Sequence, residues 1–309
     1  MKLQEPPIPI ERIDALNGRY YRPLEEWWKE SGYEGERPAF GSVTTVENVY
    51  DKGVGFQMWL GNSNSYADAM EYAQMRAKIG TIVHEIIQRY IVIWLENKEL
   101  KKSLPQKEYE KQKGFIDLSN GWWDREKEEI FPITDEIIKY LMSFIAFWRD
   151  YTPEPEALEL SLMNIEQQDD QFLYPFAGTL DFKGAVTKRT SKTEKSFRAI
   201  IDWKTGKEYP VHVIQTNAYK ILDDSFCSML NLDSVDAIGA LYLSAEWKKE
   251  PTYKMRWHPI EPTLWYDAVK ANKTMYYLNN CLKRTTVEYG SLEPMRLPRE
   301  FSKIITPED

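Results

Sequence analysis

Asp202-Trp203-Lys204 is the segment of this chain with the clearest chemical potential. On a strand, residues two apart project to the same side, so a carboxylate and an ammonium would be presented together. Ile200 and Ile201 precede them, which predicts a semi-buried strand end where an unpaired charge would be costly. A salt bridge or a bound cation would each answer that cost. Asp181, in AGTLDF at 177–182, offers a second carboxylate after a glycine that permits close approach. If the two segments pair as a hairpin, Asp181 and Asp202 converge, and such a pair suits a hard ion such as Mg²⁺ or Mn²⁺. The alternative is that Asp181 caps a strand end. His84 falls at the border of an apolar helix face, with Gly80 one turn earlier, where helix and sheet could pack closely. Gln215 and Tyr219, spaced i and i+4, share a helix face, a spacing that serves ordinary helix-to-sheet packing equally well.

The elements that must position these residues are partly visible in the pattern. Ser65 and Asp68 resemble a capping box, and Val83, Ile86, Ile87, Tyr90 and Trp94 make one apolar face, which predicts a helix over about 66–94. Residues 97–130 are charged and read as peripheral. A second helix is expected at about 134–150, opened by Thr134, Asp135 and Glu136 and ended by a Pro-containing segment. Strands are expected at 157–163, 176–186, 198–204, 236–244 and 251–257, a helix from near Pro210, and a closing helix over about 262–282. GSVTTVENVY at 41–50 fits either a short strand or a helix start. The order predicts an α/β fold, a mixed central sheet flanked by helices. The organisation expected is an extension over 1–65, a helical elaboration at the N-terminal side, and one domain over 66–309 with a helical insertion at about 97–150.

Composition narrows the class. The 309 residues carry a formal net charge of −8 with 42% hydrophobic residues, enough for a sizeable core. The acidic balance disfavours a general nucleic-acid binder but is compatible with a carboxylate metal site beside a local basic patch. Cys227 and Cys281 are the two cysteines, too few for a four-cysteine zinc or iron–sulphur site. The start lacks the apolar run of a signal peptide, and IVIWL at 91–95 is far too short to span a bilayer, so a cytoplasmic protein without membrane partners is expected. There is no Gly-x-Ser-x-Gly elbow and no phosphate-cradling glycine loop.

Taken in order, GTIVHE (80–85), EALELS (156–161), AGTLD (177–181), IIDWKTGK (200–207) and QTNAY (215–219) resemble the RecB-like branch of the PD-(D/E)xK nucleases. GSVTTVENVYDKG (41–53) resembles a segment upstream of the histidine in phage-encoded members, and the IDWKT run is similar to that of the mitochondrial genome maintenance exonucleases. The resemblance covers about 80–220. It implies a restriction-endonuclease-like core, with Asp181, Asp202 and His84 as metal ligands and Lys204 orienting the attacking water and stabilising charge on the phosphate. It further implies Glu159 as a second-shell or second-metal group, and Gln215 and Tyr219 positioning Lys204 or the DNA backbone. With two cysteines the chain departs from the iron–sulphur subgroup. The implied activity is Mg²⁺-dependent (or Mn²⁺-dependent) DNA exonuclease action in phage recombination or replication, in the host cytoplasm, with a single-strand-binding or recombination protein as a partner. A structure-specific or nicking endonuclease and an inert DNA-binding module are the alternatives.

The link between the two aspartate-bearing strands is the most basic stretch of the chain, with Lys183, Lys188, Arg189, Lys192, Lys195 and Arg198 against Glu194. It reads either as a solvated loop or as a contact to the DNA backbone through Lys188, Arg189, Lys192, Lys195 and Arg198.

Overall fold

The computed structural model describes residues 3–15, 18–33, 35–47, 58–59, 61–63, 65–124, 128–164, 176–189, 194–272 and 274–275. Its centre is a five-stranded mixed sheet in the order β10-β9-β8-β7-β6: β6 (Glu154–Asn164), β7 (Phe176–Arg189), β8 (Glu194–Lys204), β9 (Ala237–Leu243) and β10 (Tyr253–His258). β6, β7 and β8 are successive antiparallel neighbours. β9 runs parallel to β8, and β10 returns antiparallel along the edge. The parallel step needs a crossover, which α6 (Val211–Leu230) supplies. The helices and strands expected from 134 onward are present.

Two layers of helix cover the sheet. On one face lie α3 (Tyr66–Ser103) and α5 (Asp135–Tyr151), whose Ile86, Ile87, Phe144 and Phe147 pack with Phe182, Ile201 and Trp203. On the other lies α6, with a further helical stretch over 263–272 carrying the fully buried Trp265. The expected continuation of that closing helix beyond 275 lies outside the described residues. Ser65 caps α3 by accepting the Asp68 N–H at 3.0 Å, as the capping pattern required. α3 extends nine residues past its expected end, to Ser103. Within the segment expected as an insertion, α4 (Gln106–Gln112) is exposed, β4 (Trp122–Asp124) and β5 (Glu129–Phe131) form a hairpin, and α5 belongs to the central core.

Among its described residues the N-terminal region combines strands with short helices and is not the helical elaboration expected. Its described part is a three-stranded antiparallel sheet, β1 (Ile10–Ala15), β2 (Gly18–Pro23) and β3 (Phe40–Gly41), with two short helices, α1 (Glu25–Glu30) and α2 (Val43–Glu47). Asn17-Gly18 is a hairpin signal in the sequence, and the flanking strands are too short and too polar to show clean alternation. Among the described residues no helix is long and apolar enough to cross a membrane.

Candidate metal centre

The pleat of the sheet breaks where the site is built. Leu180 and Phe182 are two residues apart on β7 and should share a face, yet Leu180 packs towards α6 and Phe182 towards α3 and α5. On β6, Ala157 and Leu160 are three apart and share the α6 face. The register is continuous through Leu158↔Phe182 and Leu160↔Leu180, so Glu159 lies opposite Asp181 at the break. Glu159 has φ +46°, the left-handed region that a glutamate seldom occupies. Backbone strain of this kind costs about 1–3 kcal/mol and gathers at functional sites.

α3 brings His84 to this point. A Cβ on Gly80 would lie 3.0 Å from Thr205 Oγ1, so the glycine lets α3 approach the end of β8 closely. His84 Nδ1 then stands 3.6 Å from Asp181 Oδ2. Donor atoms of His84, Glu159 and Asp181 all fall within 4.8 Å of one another. The same Oδ2 accepts the Trp203 backbone N–H at 2.7 Å, which fixes the carboxylate.

Asp202 and Lys204 point to the same side of β8, as period two requires, and form an ion pair at 2.5 Å. Lys204 also donates to Gln215 Oε1 at 2.7 Å, and Gln215 donates to the Tyr219 hydroxyl at 3.0 Å. A Cβ on Gly178 would meet Tyr219 Cε1 at 2.9 Å and Val43 Cγ2 at 3.0 Å, so this glycine admits both α6 and α2. The seven residues expected for catalysis and metal binding (His84, Glu159, Asp181, Asp202, Lys204, Gln215 and Tyr219) line one open cleft of about 910 Å³. The compact ligand set differs from the expected one: Glu159 completes it with His84 and Asp181, while Asp202 is engaged by Lys204.

Electrostatics reflect the crowding of carboxylates. Burial and the charge of Asp181 push Glu159 up to about 8. Burial raises Asp202 to about 6 against the pull of Lys204. Burial opposes ionisation of Asp181, but His84 and Lys204 outweigh it and hold the carboxyl below its ordinary value. Burial likewise works against a charged His84, and Asp181, Glu159 and Asp202 together still raise it. A divalent cation bound among these carboxylates would offset the same crowding. One imidazole and two carboxylates so placed could hold such an ion.

No protein-family model and no curated protein sequence matches this chain. What the site does must therefore be read from its own side chains.

The N-terminal sheet supports the centre in a way the sequence did not reveal. The Tyr21 hydroxyl and Ser161 Oγ both bond Thr179 Oγ1, at 2.9 and 2.8 Å, two residues before Asp181. Ser42 of the SVTT segment bridges to Ala177, and its hydroxyl bonds Thr44 and Thr45. Arg12, Arg19, Arg89, Phe115, Trp122 and Trp123 also line the cleft and were not anticipated. The signal for the arginines was present in one respect: Arg12 and Arg19 flank Asn17-Gly18 in the sequence.

The basic link lies elsewhere. β7 and β8 pair from Phe182↔Ile201 out to Arg189↔Glu194, so its tip is roughly 26 Å along the strand from Asp181 at 3.3 Å per residue. Lys183 is fully buried and ion-paired with Asp223 at 2.6 Å. Arg198 is held by Glu156 at 2.6 Å and by the Asp233 carbonyl. Lys188 and Lys195 lie over the rings of Tyr151 and Phe197. Lys192 and the side chain of Arg189 lie outside the described residues.

Proposed function

We propose that this chain is a Mg²⁺- or Mn²⁺-dependent deoxyribonuclease, an exonuclease built on a PD-(D/E)xK-type core. The observation that carries the proposal is the convergence of His84 from α3, Glu159 from β6 and Asp181 from β7, beside the Asp202–Lys204 pair of β8, in a single cleft. A divalent cation bound there would offset the charge of a phosphodiester and lower the pKa of water. His84, Glu159 and Asp181 would hold it. Lys204 is held by Asp202 and Gln215 at the cleft, where its positive charge would meet the negative charge growing on the phosphate. Tyr219 holds Gln215 in turn. Arg89, and Arg12 and Arg19 beside their partner Asp14, place guanidinium groups along the cleft, which Glu85 and Asp117 also line.

The test is incubation of the purified protein with Mg²⁺ and end-labelled linear single-stranded, linear double-stranded and closed circular DNA. The expected result is cleavage of linear DNA that EDTA abolishes. Lys204→Ala should lower the rate about 10²–10³-fold, the usual loss for one preorganised donor. Cutting of closed circles would make it an endonuclease with the same centre. Absence of metal-dependent cleavage on every substrate overturns the proposal.

A further inference from the structure

Two exposed aromatic residues line the same cleft. Trp123 is 55% exposed and Phe115 is 79% exposed, and both line the cavity that contains the carboxylates. Exposed rings beside a polar site offer their faces to a ligand that enters it. The strand that carries Trp123 is fixed in place. Its neighbour Trp122 donates its indole N–H to Glu85 at 2.7 Å, and its other neighbour, Asp124, pairs with Lys78 at 2.6 Å. Both partners belong to α3, the helix that bears His84, and Glu85 is adjacent to that histidine in sequence. Trp122 and Asp124 face α3, so Trp123 between them is turned to the other side of β4.

α3 adds charge to this wall. Arg89, one turn beyond Glu85, is exposed, lines the cleft and has no ion-pair partner among the described residues. Rings for the faces of bases and guanidinium for phosphates, in one groove, are the features by which single strands are bound. A duplex hides its base faces in its own stack, so the rings favour unpaired bases.

Building on the nuclease reading of this cleft, we infer that Trp123 and Phe115 form a stacking platform that selects single-stranded DNA and leads it to the metal centre. Each is a specificity-determining contact, placed to meet the bases while the centre meets the phosphate.

Fluorescence anisotropy decides the matter, with short labelled oligo(dT) and a duplex of equal length, and Ca²⁺ replacing Mg²⁺ to suppress cleavage. Wild-type protein should bind oligo(dT) more tightly than duplex. Trp123→Leu and Phe115→Leu should each weaken oligo(dT) binding about 5- to 100-fold, the loss of one stacked base, and leave duplex binding unchanged. Trp123→Phe should restore most of the affinity, because a ring and not merely apolar area is required. Ile130→Ala, at the position paired with Trp123 on the hairpin, should match wild type. Leucine variants that bind oligo(dT) like wild type, or that lose single- and double-stranded binding equally, overturn the inference. Mg²⁺-dependent cleavage by wild type is scored separately. Cleavage with unaltered binding in the leucine variants sinks the platform and keeps the nuclease, whereas ring-dependent binding without cleavage does the reverse.

Discussion

Lys183→Met should be among the most damaging single substitutions in this chain, although it lies outside the candidate centre. Lys183 and Asp223 are both 0% exposed, and the ammonium lies 2.6 Å from Asp223 Oδ1. Oδ1 has no hydrogen-bond partner besides this ion pair, and Oδ2 has one long contact, the Ser234 hydroxyl at 3.4 Å. The lysine also donates to Cys227 Sγ at 3.3 Å and sits 4.9 Å from the Phe226 ring centroid. Removing the ammonium strands a carboxylate in the core between β7 and α6. Breaking such a pair from one side costs about 3–5 kcal/mol, a large share of the roughly 5–15 kcal/mol that holds a domain together. At about 2 °C per kcal/mol for a chain of this size, Tm should fall by about 6–10 °C. Replacing the pair together, Lys183→Met with Asp223→Leu, leaves no orphan charge and should recover most of the loss. Calorimetry on the two variants and wild type measures both shifts. A Lys183→Met variant melting within 2 °C of wild type, or a double variant no better than the single, would refute the reasoning.

Three further outcomes follow from the same structure. His212 is pushed down to about 3, first by burial and then by the charges of Lys204 and His258, so the unfolded chain takes up a proton near pH 6.5 that the folded chain refuses. Stability should therefore fall as pH drops from 6.5 towards 3, and urea midpoints at pH 7 and pH 5 should separate less in His212→Gln than in wild type; equal separations would contradict this. Gly178→Ala places a methyl 2.9 Å from Tyr219 Cε1 and should cost about 1–3 kcal/mol by chemical denaturation, with an unchanged midpoint as the contrary result. Glu159→Gln keeps the shape of the centre but removes one carboxylate of the compact set, so Mn²⁺ binding by titration calorimetry should weaken while the melting profile without metal holds; equal affinity would exclude Glu159 as a ligand.

Long periodic elements were legible in the sequence because one physical cause dominates them. The apolar face of α3 reports burial directly, and the caps Ser65 and Thr134 mark the helix starts. The same-side placement of Asp202 and Lys204 follows from strand geometry, and the structure joins them. The membership of the compact ligand set was not legible, because it depends on a left-handed residue at Glu159 and a broken pleat at Asp181, which period-two reasoning cannot foresee. Charge type misled in the basic link: Lys183 reads as a surface cation but is the buried partner of a residue 40 positions away, and Arg198 closes an ion pair with Glu156. Both pairings depend on how β7, β8 and α6 stack. The cleft aromatics were invisible for a related reason, since Trp122 and Trp123 differ only in which side of a three-residue strand each occupies.

The most direct measurement is anomalous diffraction from crystals of the protein soaked in Mn²⁺. The expected result is a single strong peak between His84, Glu159 and Asp181, lost in Asp181→Asn crystals. Well-ordered crystals without a peak there, at Mn²⁺ concentrations that saturate any cleavage observed in solution, would contradict the assignment of these three side chains as a metal centre.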